Sequence, residues 1–317
     1  MSFPSVVPPL HKRIKRFVRY GLVRAALALV SLLPLRLASS LGAWFGRLAF
    51  AVAGKERRKA LASLARAGLP AETARACFEH LGRAAFELAC IAQIDRRFDE
   101  VVEWPAPDRA VLDAALDRGR GVVFVSAHLG NWELLARRVS HAGYPCHTIA
   151  KETTDPRTTA LVERFRASAK LQSIWRGREG AARAMLRVLK GNGILGLLID
   201  QDTDVQSVWV DFFGHPAKTP RAAADLALRL GSAVVLGFCA RVADGPRYRL
   251  SMVEVPTDGL DAHQLTAKLT QLIEAKIREA PAQWVWMHQR WKSPTPPEGA
   301  APSPLPAGAP PPRAPAG

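Results

Sequence analysis

Three short apolar runs constrain this chain more than any other feature: GVVFVSA ending at Ala127, ILGLLID ending at Asp200 and AVVLGFCA ending at Ala240. Each is apolar along its length and bounded by glycine or polar residues, the pattern of a strand buried on both faces. Between them lie stretches of helical period around Trp132 to Val139, Thr158 to Ala169, Gly180 to Leu189 and Ala222 to Leu230. That alternation predicts an α/β fold, a mixed central sheet layered with helices. Arg247 to Val255 alternates as an edge strand, and Ala262 to Ala280 reads as a last amphipathic helix. Ala71 to Cys90 and Val111 to Leu116 form a helical lead-in. From Ser293 onward the Pro, Ala and Gly content leaves nothing to bury, so a disordered tail is expected. The expected organisation is a basic segment over 1–54, the main domain over 55–292 and the tail over 293–317.

Composition matters chiefly through where the charge sits. The formal net charge is +16, and residues 1–66 hold thirteen Lys or Arg, from Lys12 to Arg66, against the single acid Glu56. Such an imbalance selects an anionic partner: nucleic acid, acidic lipid or an acidic protein. What interleaves the charges decides among them. FVRYGLVRAALALVSLLPLRLASSLGAWFGRLAFAVAG is rich in Leu, Ala, Val, Phe and Trp, which suits acyl chains better than a phosphate backbone. No helix-turn-helix, RNP or zinc pattern accompanies the charge, so nucleic acid is not expected. Arg24 and Arg36 leave only Ala25 to Leu35 uncharged, short of the roughly 20 apolar residues of a span, and Pro34 interrupts the run. An N-terminal membrane-interacting helical segment lying in the interface follows, with Leu37, Leu41, Trp44, Phe45 and Leu48 at helical spacing. Cys77, Cys90, Cys146 and Cys239 stand far apart, so ordinary buried thiols in a reducing compartment are expected.

The sharpest chemical feature is HLGNWE, His128 to Glu133, directly after GVVFVSA. A His at the carboxyl end of a buried strand stands where open α/β sheets bind ligands. On one regular helix His128 and Glu133 would point about 140° apart, so they need a bend to meet. Gly130 permits a tight turn, and Asn131 suits the N-cap of a helix starting at Trp132. The bend is expected to curl Glu133 back toward the imidazole. Neutral His128 would then take a hydroxyl proton while the carboxylate fixes its tautomer.

Taken together, several blocks resemble the bacterial lipid A late acyltransferases, the lauroyl and myristoyl transferases of lipopolysaccharide precursors. They are HLGNWE, the arginine-bearing LVERFRASAKLQSIWRGREGAARAMLRVLKGNG, DQD at Asp200 to Asp202, FFGHPAKTP at Phe212 to Pro220, and PAQWVWMHQRWK. The resemblance covers roughly Arg16 to Lys292, and departs from the family at SAKLQS, which lacks a glycine usual there. It implies an O-acyltransferase on the cytoplasmic face of the inner membrane, resting on an anionic membrane surface. The acyl group would come from acyl carrier protein and pass to a membrane lipid acceptor, a lipid A precursor or related glycolipid. No cofactor and no metal are implied. His128 carries over as general base, Glu133 as its orienting partner, and an arginine of ERFR, Arg166 rather than Arg164, as a supporting residue together with Asp200. Acylation of a lysophospholipid or other membrane lipid is the alternative; a non-catalytic lipid-binding protein is the alternative of a different class.

Other residues carry weaker expectations. Acids after a buried strand, as in DQD, often cap the next turn, and the arginines from Arg157 to Arg187 fit a solvated helical face or a carrier-docking surface. Thr219 before Pro220 reads as a helix N-cap. Trp284, Met287 and Trp291 share helical spacing and suggest core or membrane interface, with His288 as a second site histidine and Arg290 and Lys292 as phosphate contacts. Phe212, Phe213 and Trp209 are candidates for the end of an acyl pocket. The chain lacks a G-x-S-x-G elbow, so direct transfer without an acyl-enzyme is expected.

Overall fold

The structure, a computed structural model, describes residues 10–294; the tail expected after Ser293 lies almost wholly outside them. Four helices come first: α1 (Leu10–Ser31), α2 (Leu35–Val52), α3 (Gly54–Arg66) and α4 (Thr73–Ala89). Two short helices, α5 (Ile91–Arg96) and α6 (Phe98–Val101), then lead to β1 (Val102–Glu103) and α7 (Ala106–Asp117). The alternating body follows as β2 (Val122–Ser126), α8 (Trp132–His141), β3 (Cys146–Lys151), α9 (Pro156–Ala167), β4 (Gln172–Arg176), α10 (Ala181–Lys190) and β5 (Ile194–Leu198). A hairpin of β6 (Ser207–Phe212) and β7 (His215–Pro220) precedes α11 (Ala222–Leu230), β8 (Ala233–Arg241), β9 (Tyr248–Glu254) and α12 (Ala262–Glu279).

The main sheet runs β1-β9-β8-β2-β5-β3-β4. Strands β8, β2, β5, β3 and β4 are mutually parallel; β9 pairs antiparallel with β8, and β1 follows β9. Alternation along β2 shows why the apolar runs have no polar face. Val123 and Val125 enter one core, Val122 and Phe124 the core on the other side of the sheet. Val122, Val123 and Val125 have no exposed surface, and burying each contributes about 1.5–3 kcal/mol. These terms fix the central strands and therefore the positions of the residues just beyond their carboxyl ends.

At the N-terminal end the fold is tied by small residues. Helices α2 and α4 cross so closely that a Cβ on Gly46 would stand 2.3 Å from the Phe78 carbonyl oxygen, and one on Gly42 2.4 Å from that of Gly82. The buried Ser39 hydroxyl donates to Glu87 at 2.6 Å across the same contact. The opposite face of α2 exposes Leu37, Trp44, Phe45, Leu48 and Val52. Among the described residues no single helix is long and apolar enough to cross a membrane; α2 and α3 meet at a bend of 91°.

Two local expectations are corrected. The segment from Trp284 is not helical: after a 3-10 turn at Pro281–Gln283, Trp284 forms an antiparallel bridge with Leu129. Trp284 and Trp286 are both fully buried, two residues apart as in an extended chain, with rings 4.6 Å apart edge to face. Thr219 sits inside β7 rather than at a helix N-cap, because Pro220 still pairs with Ser207 at the open end of the hairpin and α11 starts only at Ala222, with Arg221 in the N-cap position.

Candidate active site

Register alone brings two functional side chains together. Strands β2 and β5 are adjacent and parallel with Ser126 opposite Leu198, so the residues two positions further on, His128 and Asp200, emerge side by side. The His128 Nδ1–H donates to Asp200 Oδ1 at 2.8 Å, and the His128 backbone N–H donates to Oδ2 at 2.7 Å. Trp284 Nε1–H adds a third donor at 2.8 Å. Asp200 is buried, which by itself raises a carboxyl pKa, but the neighbouring His128 charge and these three hydrogen bonds outweigh burial and hold it well below the usual carboxylate range. A buried, ionised Asp200 therefore fixes the tautomer of His128 with the proton on Nδ1 and leaves Nε2 as a base.

That Nε2 faces Gln201, whose amide nitrogen lies 3.2 Å from it and 2.8 Å from Nδ1 of His288. The rings of His128 and His288 stand 4.8 Å apart edge to face, and Trp132 packs on His128 at 4.9 Å. Burial, with the adjoining His128, pushes His288 down to about 4, so it is neutral at neutral pH.

The expected partnership of His128 with Glu133 gives way to a different one. Gly130 does make the bend, at φ +64° and so close to the chain that a Cβ would meet the Cys239 carbonyl at 2.1 Å. Asn131 caps α8, its side chain accepting from the Leu134 N–H at 3.1 Å. Glu133 then points to Arg166, whose Nε–H donates to Oε2 at 3.1 Å while its Nη2 holds the other oxygen. The physical reason is the approach of α9: buried Arg137 of α8 binds Asp95, the Phe165 carbonyl and the Ser168 hydroxyl, which brings the last turn of α9, with Arg166, alongside Glu133. A bidentate guanidinium outcompetes a neutral imidazole for the carboxylate. The four residues named from the sequence thus assemble as two pairs, His128 with Asp200 and Glu133 with Arg166. Gln201 and Trp284, which complete the first pair, carried no site role in the sequence reading. The adjacency of two strands that each end two residues before His128 and Asp200 was the signal that would have joined them.

Glu133 and Arg166 border a narrow apolar slot between α8 and the sheet, whose walls include Phe124, Leu135, Val139, Ile194 and Gly196. Along β5 it extends from Leu198, near the site, to Ile194, four residues or about 13 Å. Phe212, Phe213 and Trp209 do not line it; the two phenylalanines belong to the core on the opposite face of the sheet. Cys146 does line it, but burial pushes its thiol up to about 12, so it carries no nucleophilic thiolate.

A sequence profile of the bacterial lipid A biosynthesis acyltransferases matches residues 10–293. The chain is also similar to the phosphatidylinositol mannoside acyltransferase of Mycolicibacterium smegmatis, 26% identical over 217 residues, 64% of this chain and 71% of that protein. A phosphatidylinositol mannoside acyltransferase of Mycobacterium tuberculosis is 26% identical over 185 residues; there the match spans 57% of each chain. With a family profile that matches residues 10–293, the chain belongs to the bacterial lipid A biosynthesis acyltransferase family and is, with it, an acyltransferase of membrane lipid hydroxyls.

Proposed function

We propose that the protein moves a fatty acyl group from an acyl carrier protein thioester to a hydroxyl of a membrane glycolipid, with His128 as general base and Asp200 as its positioning partner. The observation that carries this reading is the His128–Asp200 pair at 2.8 Å, near an apolar slot bordered by Glu133 and Arg166. The acyl chain lies in the slot, so the thioester carbonyl sits at its mouth near Trp132 and Glu133. The acceptor hydroxyl gives its proton to His128 Nε2 as its oxygen attacks that carbonyl; the carrier thiolate leaves and takes the proton back from the imidazolium. Asp200 stabilises the imidazolium throughout. Arg166, held by Glu133 at the mouth, supplies positive charge toward the developing oxyanion.

Among acceptors, a glycosylated phospholipid is favoured over a lipid A precursor, because the similar mycobacterial proteins act on phosphatidylinositol mannosides. The exposed apolar face of α2 supports residence on a membrane surface, the cytoplasmic face of the inner membrane being where an acyl carrier protein is available. The test is incubation of the full-length protein with acylated carrier and each acceptor, followed by mass spectrometry of the lipids. A glycolipid gaining one acyl group bears the reading out. Acylation of the lipid A precursor alone overturns the acceptor, and release of free fatty acid without any acylated lipid overturns the function.

A further inference from the structure

Helix α3 carries a stripe of side chains at positions 55, 58, 59, 62, 63 and 66, the i, i+3, i+4, i+7 spacing of one helical face. Long cations stand at its two ends, Lys55, Arg58 and Lys59 at one and Arg66 at the other, with small Ala62 and Ser63 between them. The segment after His288 supplies the facing wall, with Arg290, Trp291 and Lys292. The result is an open basin lined by six cations and no carboxylate. Arg57, on a different face, is used structurally and donates to the carbonyls of Phe50 and Ala51 at the end of α2. Lys59 is bound to Glu56, whereas Lys55, Arg58, Arg66 and Lys292 have no acidic partner among the described residues.

Two further donors belong to side chains of the facing wall. Arg290 is 1% exposed; its Nη groups bind the Lys218 carbonyl and the Thr219 hydroxyl, yet its buried Nε–H has no acceptor. The indole N–H of Trp291, under the guanidinium of Arg66 at 5.6 Å, is also buried without a partner. Both N–H groups lie beneath the wall that Arg66, Trp291 and Lys292 present to the basin. Location narrows the class. Helix α3 continues from α2 through the 91° bend, so the basin begins one turn beyond Val52, at the end of the exposed apolar face of α2. On its other side Gln289 and Arg290 directly follow His288, whose ring packs on His128.

We infer that this basin binds the phosphate of a membrane lipid headgroup and thereby presents the acceptor to His128. The inference rests on the reading of the site as one that acylates a membrane lipid. It adds the phosphate as the recognised group and the α3 stripe as the recognising surface. The alkyl chains of such a lipid stay with the apolar face of α2 while guanidinium and ammonium groups hold its phosphate at the bend.

The test is calorimetric titration of the full-length protein, in a neutral detergent, with dioctanoyl phosphatidic acid, dioctanoylglycerol, inorganic phosphate and 4′-phosphopantetheine. Phosphatidic acid should bind at least about tenfold more tightly than each of the other three. Arg58→Gln with Arg66→Gln should weaken it about tenfold, the equivalent of one charge-assisted contact. The matched removal of exposed charge elsewhere, Arg229→Gln with Arg247→Gln, should change it less than twofold. Equal losses in the two double variants would reduce the basin to general charge and overturn the proposal. Inorganic phosphate binding as tightly as phosphatidic acid would make it a free-anion site. Preference for phosphopantetheine would assign it to the donor. Binding of phosphatidic acid that persists in His128→Ala supports the basin independently of transfer, so a wild-type protein that binds but never acylates would sink the proposed function alone. Conversely, transfer to a glycolipid without any phosphatidic acid binding would sink the basin alone.

Discussion

The carboxyl end of β2 and the first turn of α8 are five residues apart in sequence and hold two ion-pairing arrangements of opposite character. At the strand end, Asp200 is wholly buried, accepts three hydrogen bonds and meets His128, a side chain able to take up a proton. At the helix start, Glu133 is partly exposed and meets Arg166, whose charge is permanent. A carboxylate facing a titrating partner governs proton transfer; one facing a fixed cation governs where that cation points. The difference teaches that HLGNWE is one block in sequence but two devices in space, which the proposed function assigns to the proton and to the mouth of the slot.

The largest effect expected on this division is at the base itself. His128→Ala should lower kcat by about 10⁴, the upper end of what general-base catalysis supplies, while the circular dichroism spectrum stays native. Activity within twofold of wild type would remove the proton device altogether. Asp200→Asn comes next: it keeps the shape but loses the charge and disturbs the tautomer, so kcat should fall about 10²- to 10³-fold with KM little changed. The same variant should cost about 3 kcal/mol of stability near neutral pH, because a buried charge cluster loses its anion. The folded-state pKa of Asp200 is depressed below its ordinary 3.8, so its contribution is complete above that value and disappears as pH falls through the lower folded value. Denaturation of the two proteins should therefore differ most above pH 4 and converge in stronger acid. A gap that widens on acidification would contradict an ionised Asp200.

Glu133→Gln sharpens the contrast. It removes the charge that anchors Arg166 while leaving His128 and Asp200 in place, so kcat/KM should fall only about tenfold and the pH dependence of kcat should be preserved. A loss as large as that of Asp200→Asn, with an altered pH profile, would mean that Glu133 serves the imidazole after all and that the two devices are one.

How much of this was legible before the fold was known follows the same physics. The apolar runs of β2, β5 and β8 were readable because both faces of the sheet are covered, and the G-N pair at Gly130 and Asn131 announced the bend that the structure contains. Strands β3, CHTIAK, and β4, QSIWR, were not, since near the sheet edge they carry polar side chains and show no apolar run. The extended segment at Trp284 imitated a helix because three large side chains happen to share its spacing. His128 and Asp200 were each singled out, but their pairing depends on β5 lying beside β2 although 68 residues separate Ser126 from Ile194 along the chain, and strand order is invisible to local pattern. Glu133 was given to the nearest His because the approach of α9 that delivers Arg166 is a tertiary event.

The smallest expected effect lies in the slot that Glu133 and Arg166 border, and concerns length rather than rate. Gly196 stands in the middle of β5, opposite Phe124 on one neighbouring strand and Thr148 on the other, and all three line the slot. A Cβ there would lie 3.2 Å from the Thr148 methyl, a contact tight enough to require a shift of a few tenths of an ångström but one that a side chain can make. Gly196→Ala should thus fold, and should narrow the slot about halfway along its length, where a bound chain would have passed on the order of five carbons. Donors with long acyl groups must pass that point and shorter ones need not, so the ratio of kcat/KM for a dodecanoyl over a hexanoyl carrier thioester should fall about three- to fivefold, with the hexanoyl rate nearly unchanged. The proton device is untouched by this substitution. Equal losses for both donors would place the damage at the strand end rather than in the slot, and an unchanged ratio would mean that the acyl chain lies elsewhere, leaving Glu133 and Arg166 without the cavity that now gives their pairing a purpose.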